Sequence, residues 1–191
     1  MLKRLFVVGL LLVYGQGAGA AILVTLNQVT NFDWVYDIRL QPQSFMSQGD
    51  AFTVYDFPAL QSATFIPDAG VADRTFALGM AGTGFTPPLV APTDDPQLDN
   101  VTVTLTGGDQ IVPSSLGDAV TLGQLVLTGV SATPGEPINF TGLSAQQAGG
   151  TALSNIGFVP APVPEPSTIG FMGVGLLAVA GLALRRRKRA A

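Results

Sequence analysis

The stretch "PTDDPQLDN" (Pro92 to Asn100) places three carboxylates, Asp94, Asp95 and Asp99, in one proline-bounded loop. Oxygen ligands of that kind suit calcium, although the spacing is not that of an EF-hand and most acidic loops are simply solvated. A second chemistry is stacking on sugar rings, for which Trp34, Tyr36, Phe52, Tyr55 and Phe57 have the right faces. At strand spacing such aromatics are more often core. A third is glycoside hydrolysis by two facing carboxylates. No local signature selects such a pair, and Glu136 sits in a proline turn. Asp33, Asp37, Asp50, Asp56, Asp68, Asp73 and Asp118 are scattered and read as surface or turn residues. The chain has no cysteine and no histidine. That excludes a disulfide framework, a thiolate nucleophile, a zinc-thiolate site and an imidazole base.

The elements that must position these residues are strands. In "NVTVTLT" (Asn100 to Thr106) the valines and Leu105 face one way and the threonines the other. In "WVYDIRL" (Trp34 to Leu40), Trp34, Tyr36, Ile38 and Leu40 share a face opposite Asp37 and Arg39. That period of two is the mark of a half-buried strand. "ILVTLNQVT" (Ile22 to Thr30), "AFTVYDF" (Ala51 to Phe57) and "VTLGQLVLTGV" (Val120 to Val130) read likewise. Turn chemistry separates them, in "QPQSFMSQGD", "FIPDAG", "GFTPPLVAPTDDPQ", "TGGDQ" and "TPGEP". Only "LSAQQAGG" (Leu143 to Gly150) suggests a helical turn. Strands without intervening helices predict an all-β fold, an antiparallel β-sandwich, over 191 residues that suffice for one domain.

Charge is partitioned along the chain. Between Ala21 and Pro164 there are two cations, Arg39 and Arg74, against twelve carboxylates, a net charge of −10. Nucleic-acid binding is therefore not expected of this part, because phosphate contacts need clustered cations. The other seven cations lie at the ends. Lys3 and Arg4 precede an apolar run from Leu5 to Tyr14, and Ala18 and Ala20 stand in A-x-A positions. This layout is that of a secretory signal over residues 1–20, with cleavage between Ala20 and Ala21. At the other end, Ile169 to Leu184 is an uncharged run followed at once by Arg185, Arg186, Arg187, Lys188 and Arg189. Sixteen residues of helix rise about 24 Å against a hydrocarbon core of ~30 Å, and snorkelling arginines cover the shortfall. A single transmembrane helix over 167–184 is expected, with 185–191 as a basic cytoplasmic stop-transfer anchor. Hydropathy does not account for the "PEP" that precedes it.

Val163, Pro164, Glu165 and Pro166, then the apolar run, then the five cations resemble the PEP-CTERM sorting domain over about the last thirty residues. The resemblance implies recognition by a membrane-embedded exosortase in a Gram-negative, exopolysaccharide-producing bacterium, with processing near Pro164-Glu165-Pro166. It implies an inner-membrane precursor and then a place at the cell surface or in the extracellular matrix. In that setting the N-glycan sequons at Asn100 and Asn139 are accidental. "WVYDIRLQPQSFMSQGDAFTVYDFPAL" and "LGQLVLTG" are also similar to strand patterns of PEP-CTERM proteins.

The expected organisation is therefore a signal peptide at 1–20, an exported β-sandwich at 21–158, a proline-rich linker carrying the motif at 159–166, then helix and tail. The β domain is expected to be a non-catalytic structural or adhesive component, with no cofactor and no catalytic or metal residue. Its expected partners are exosortase, the membrane before processing, and exopolysaccharide. The alternatives are a carbohydrate-binding module, using exposed aromatics or the Asp-lined calcium loop, and a carboxylate glycosidase.

Overall fold

The computed structural model describes residues 21–30, 32–129, 134–147 and 149–162. Ten strands follow in chain order: β1 (Ile22–Thr30), β2 (Asp33–Leu40), β3 (Ser44–Phe45), β4 (Ala51–Phe57), β5 (Ser62–Pro67), β6 (Thr75–Ala81), β7 (Asp99–Gly107), β8 (Val120–Thr128), β9 (Pro134–Gln146) and β10 (Ala152–Pro162). A 3-10 turn, Ala69–Val71, follows β5 and is capped by the Asp68 side chain. The strands form two antiparallel sheets. One has the order β1-β2-β8-β5, and the other β10-β9-β4-β7-β6 with β3 added to β9.

The sheets bury a common core, and the alternation in β2 shows why. Trp34, Tyr36, Ile38 and Leu40 are all fully buried and meet Phe52, Val54, Val101, Val103 and Leu105 of the larger sheet. Each large side chain so buried is worth roughly 1.5–3 kcal/mol of transfer free energy. Aromatic rings join the layers: Trp34 lies edge-on to Phe57 at 6.4 Å. On the far side Phe65 of β5 lies between Phe52 and Phe76, at 5.8 and 4.9 Å. The result is an all-β, sandwich-like fold.

The observed strands depart from the sequence expectation where glycine and proline interrupt the pattern. "LSAQQAGG" is not helical: Leu143–Gln146 closes β9, and the chain then turns into β10. Part of "FIPDAG" lies in β5, and Pro134 to Pro137 of "TPGEP" lie in β9. The β domain does not stop at 158. Pro160 pairs with Pro137 and Pro162 with Pro134, so the first residues of the expected spacer belong to the sheet.

The two termini of this domain leave from opposite ends. Ala21 is fully buried, and its N–H donates to Asn155 Oδ1 at 3.1 Å. The same oxygen accepts the Ile22 N–H at 3.0 Å, while Asn155 Nδ2 donates to the Ile22 carbonyl at 2.7 Å. Room for this clamp comes from Gly142, where a Cβ would stand 2.7 Å from both Asn155 Oδ1 and Ile22 Cβ. Seven residues further on, β10 ends at Pro162 beside the start of β9.

Candidate functional site

Two outer faces carry the polar side chains that could meet a ligand. On the larger sheet, β4 is buried on both sides because the β6–β7 connection, residues 82–98, lies across it. The Phe85 carbonyl accepts from Tyr55 Oη at 2.7 Å and from Thr53 Oγ1 at 3.1 Å. Asn139 Nδ2 donates to the Thr93 carbonyl at 3.1 Å. At the end of this strap Asp56, in the left-handed region at φ 53°, accepts the Asp95 N–H at 2.7 Å. Burial pushes the Asp56 carboxyl up, the Asp95 N–H opposes this, and the nearby charges of Asp94 and Asp95 raise it further. Connections this long without regular structure are uncommon in compact domains, and this one is tied down along its length.

On the smaller sheet no described residue lies across the outer face. Asp37 Oδ1 accepts from Asn27 Nδ2 at 2.9 Å and from Gln124 Nε2 at 3.0 Å. Beside them a groove of about 250 Å³ is lined by Asp37, Thr121, Gln124, Ile66, Pro67 and Asp68, among others. It forms at a bulge where Ile38 pairs with Gly123 but Arg39 with Thr121. Gly123 has φ +149°, and a Cβ there would stand 2.3 Å from the Ile66 carbonyl oxygen. Bulges of this kind re-aim side chains. The groove offers hydrogen-bond acceptors and a hydroxyl to solvent, a lining able to hold a small polar group.

The residues picked from sequence fare differently. Trp34, Tyr36, Phe52, Tyr55 and Phe57 are all fully buried, so they form no platform for sugar rings, and the reading that needed them exposed is corrected. Burial pushes the Tyr36 phenol well above its usual range, and it donates to the Pro160 carbonyl at 2.8 Å. Nor does the acidic loop gather its carboxylates. Asp94 accepts from Asn100 Nδ2 at 2.8 Å and Asp95 from the Gln97 N–H at 3.0 Å, while Asp99 begins β7 in the open. Among the described residues no group of three or more His, Cys, Asp or Glu is placed to hold a metal, which corrects the Asp-lined calcium reading. Asn100 and Asn139 are buried beneath the strap. Ala18, Ala20, Val163, Pro164, Glu165, Pro166 and Arg185 to Arg189 lie outside the described residues, as does the expected transmembrane segment. Among the described residues no helix is long and apolar enough to cross a membrane.

Missed from sequence were the strap and the groove. Alternation put Asp37 on the outer face, but its partner Gln124 is 87 residues away and is named by register alone.

What these features define is an all-β domain whose last strand runs directly into a C-terminal segment of a different character. Residues 162–188 of that segment match the PEP-CTERM protein-sorting motif. The match begins at the residue where β10 ends. No curated protein matches the chain. Among solved structures, the collagen-binding domain from a Staphylococcus aureus adhesin is similar at 8% identity. That match covers 76% of this chain and 99% of that domain, with a TM-score of 0.31. A likeness of that size carries no argument about binding.

Proposed function

We infer that this chain is an exported protein of a Gram-negative bacterium that an exosortase sorts and processes at its C-terminus. In this reading residues 1–20 are removed on export. The helix over 167–184 holds the precursor in the inner membrane with Arg185 to Arg189 on the cytoplasmic side. The β domain is then delivered to the cell surface or the exopolysaccharide matrix, where it serves as a non-catalytic structural or adhesive component. The observation that carries the reading is the PEP-CTERM match over residues 162–188. The absence of histidine and cysteine from the sequence supports a role without catalysis, as does the use of Asp94 and Asp95 as loop acceptors.

The experiment is a blot of membrane and medium fractions from cells with and without the exosortase. Replacing Pro164, Glu165 and Pro166 together by alanine leaves insertion intact, because hydropathy barely changes. The membrane form is then expected to persist, heavier than the released product by the roughly 20 residues of a membrane span plus its tail. Equal release of the wild type and the triple variant would show that the motif is only a spacer.

A further inference from the structure

Each sheet has two edges, and three of the four are interrupted or short. β1 is broken by a register shift between Leu26 and Gln28. β5 has six residues and ends on Pro67. β6 has seven, with a shift at its start, and its Phe76 turns in against Phe65. β10 is different. It pairs with β9 without a break from Ala152 to Pro160, and its eleven residues carry no charge. Ile156 and Phe158 stand 41% and 68% exposed on its outer side.

The direction of its free backbone groups follows from a proline pair. Pro160 faces Pro137, and neither can donate, so the two cannot exchange hydrogen bonds. In an antiparallel ladder bonded and non-bonded pairs alternate. Ser154, Ile156 and Phe158 share the parity of Pro160, so their N–H and C=O groups point away from β9, toward the open edge. At Pro160 and Pro162 that row of donors stops, and the Pro160 carbonyl is already taken by Tyr36. The open part of the edge is therefore bounded.

We propose that this edge pairs with the same edge of a second copy, antiparallel about a two-fold axis at Ile156. Ile156 then opposes Ile156 of the other copy, and Ser154 opposes Phe158. Phe158 lies diagonal to Ile156 across the new ladder, a contact that strengthens such pairs. The strand satisfies itself under a two-fold, as an isologous interface requires. Charge sets no local obstacle to a second copy at this seam. The domain carries −10 overall, yet this strand brings no carboxylate of its own to the seam. The contact is smaller than the about 1,600 Å² of a standard interface, so weak, concentration-dependent pairing is expected. Antiparallel pairing sends the two Pro162 exits in opposite directions. On the sorting reading above, two copies anchored in one membrane then cannot pair, whereas released or opposed copies can.

The test uses the full-length protein purified in density-matched detergent, where separate micelles impose no common orientation. Sedimentation equilibrium is expected to show a reversible dimer that Ile156→Lys or Phe158→Lys weakens at least tenfold. The native chain lacks cysteine. Ile156→Cys is therefore expected to cross-link to itself under mild oxidation, at least tenfold faster than Ile66→Cys on the open face of the other sheet. Monomers at every concentration overturn the proposal. So do equal cross-linking rates, or a dimer that survives both lysine variants. The cross-linking comparison stands even where a lysine variant fails to fold. None of these measurements involves exosortase, so failure of the sorting reading shows separately, in the fractionation blot.

Discussion

On the outer face of the six-stranded sheet, Thr53, Tyr55 and Thr141 are wholly buried. On that of the four-stranded sheet, Asp37, Arg39 and Gln124 stay within reach of water. Both faces are polar. The difference is made by one connection. The 82–98 strap brings its own acceptors, the Phe85 and Thr93 carbonyls, to the hydroxyls and carboxamide of the larger sheet. A polar sheet face can thus be buried at little cost when a backbone arrives to satisfy it. Among the described residues the other face has no such visitor, and its groups satisfy one another sideways, Asn27 and Gln124 through Asp37.

The sharpest way to break this contrast is at the bulge that shapes the open face. Gly123→Ala places a Cβ against the Ile66 carbonyl in a backbone region that disfavours side chains, so about 2–4 kcal/mol of stability should be lost. Urea unfolding checks this, and an unchanged midpoint would mean the bulge can flatten. A middle-sized effect is expected at the strap. Tyr55→Phe removes one donor from the Phe85 carbonyl and costs about 1 kcal/mol. Hydrogen exchange over residues 83–93 should quicken while β2 stays protected. Uniform quickening would show that the strap is not a separate unit.

The smallest effect is electrostatic. The Asp56 carboxyl is raised above its ordinary value, so the folded state holds this proton more firmly than the unfolded chain does. Stability tied to it is present below the unfolded value of 3.8 and is lost as pH rises through the higher folded value. Asp56→Asn should therefore raise Tm slightly at pH 7 and not at pH 3. Asparagine keeps an oxygen for the Asp95 N–H and tolerates the left-handed backbone. A gain of the same size at both pH values would assign the effect to backbone conformation instead.

What the sequence discloses depends on how local the cause is. β2 is legible because its core face and open face alternate without interruption, so Trp34, Tyr36, Ile38 and Leu40 declare themselves. β4 is less so, because the strap buries its second face and blurs the alternation. β9 and β10 are the hardest. Their glycines and prolines look like loop residues, yet Gly142 makes room for Asn155 and Ile22, and Gly157 lies under the Phe140 ring. Pro137 and Pro160 meet where no hydrogen bond is needed. Those reasons lie across the sheet, not along the chain. The sorting tail is the opposite case, a contiguous signal that can be read from residues 162–188 alone. The groove shares the difficulty of β10, since Asp37 and Gln124 become neighbours only through register.

The position of β10 has a mechanical consequence. A pull transmitted from the tail enters the domain at Pro162 and runs along the axis of this strand. Its long ladder with β9 lies parallel to that load, so its hydrogen bonds are sheared together instead of being peeled one after another. Two further ties share the burden, Tyr36 at the Pro160 carbonyl and Asn155 on the first residues of β1. Forced unfolding is governed by the unfolding barrier and not by equilibrium stability. The domain is thus built to resist tension along β10 more than its thermal stability alone would indicate, and tugging on it sideways, across the sheet, is where it should yield first.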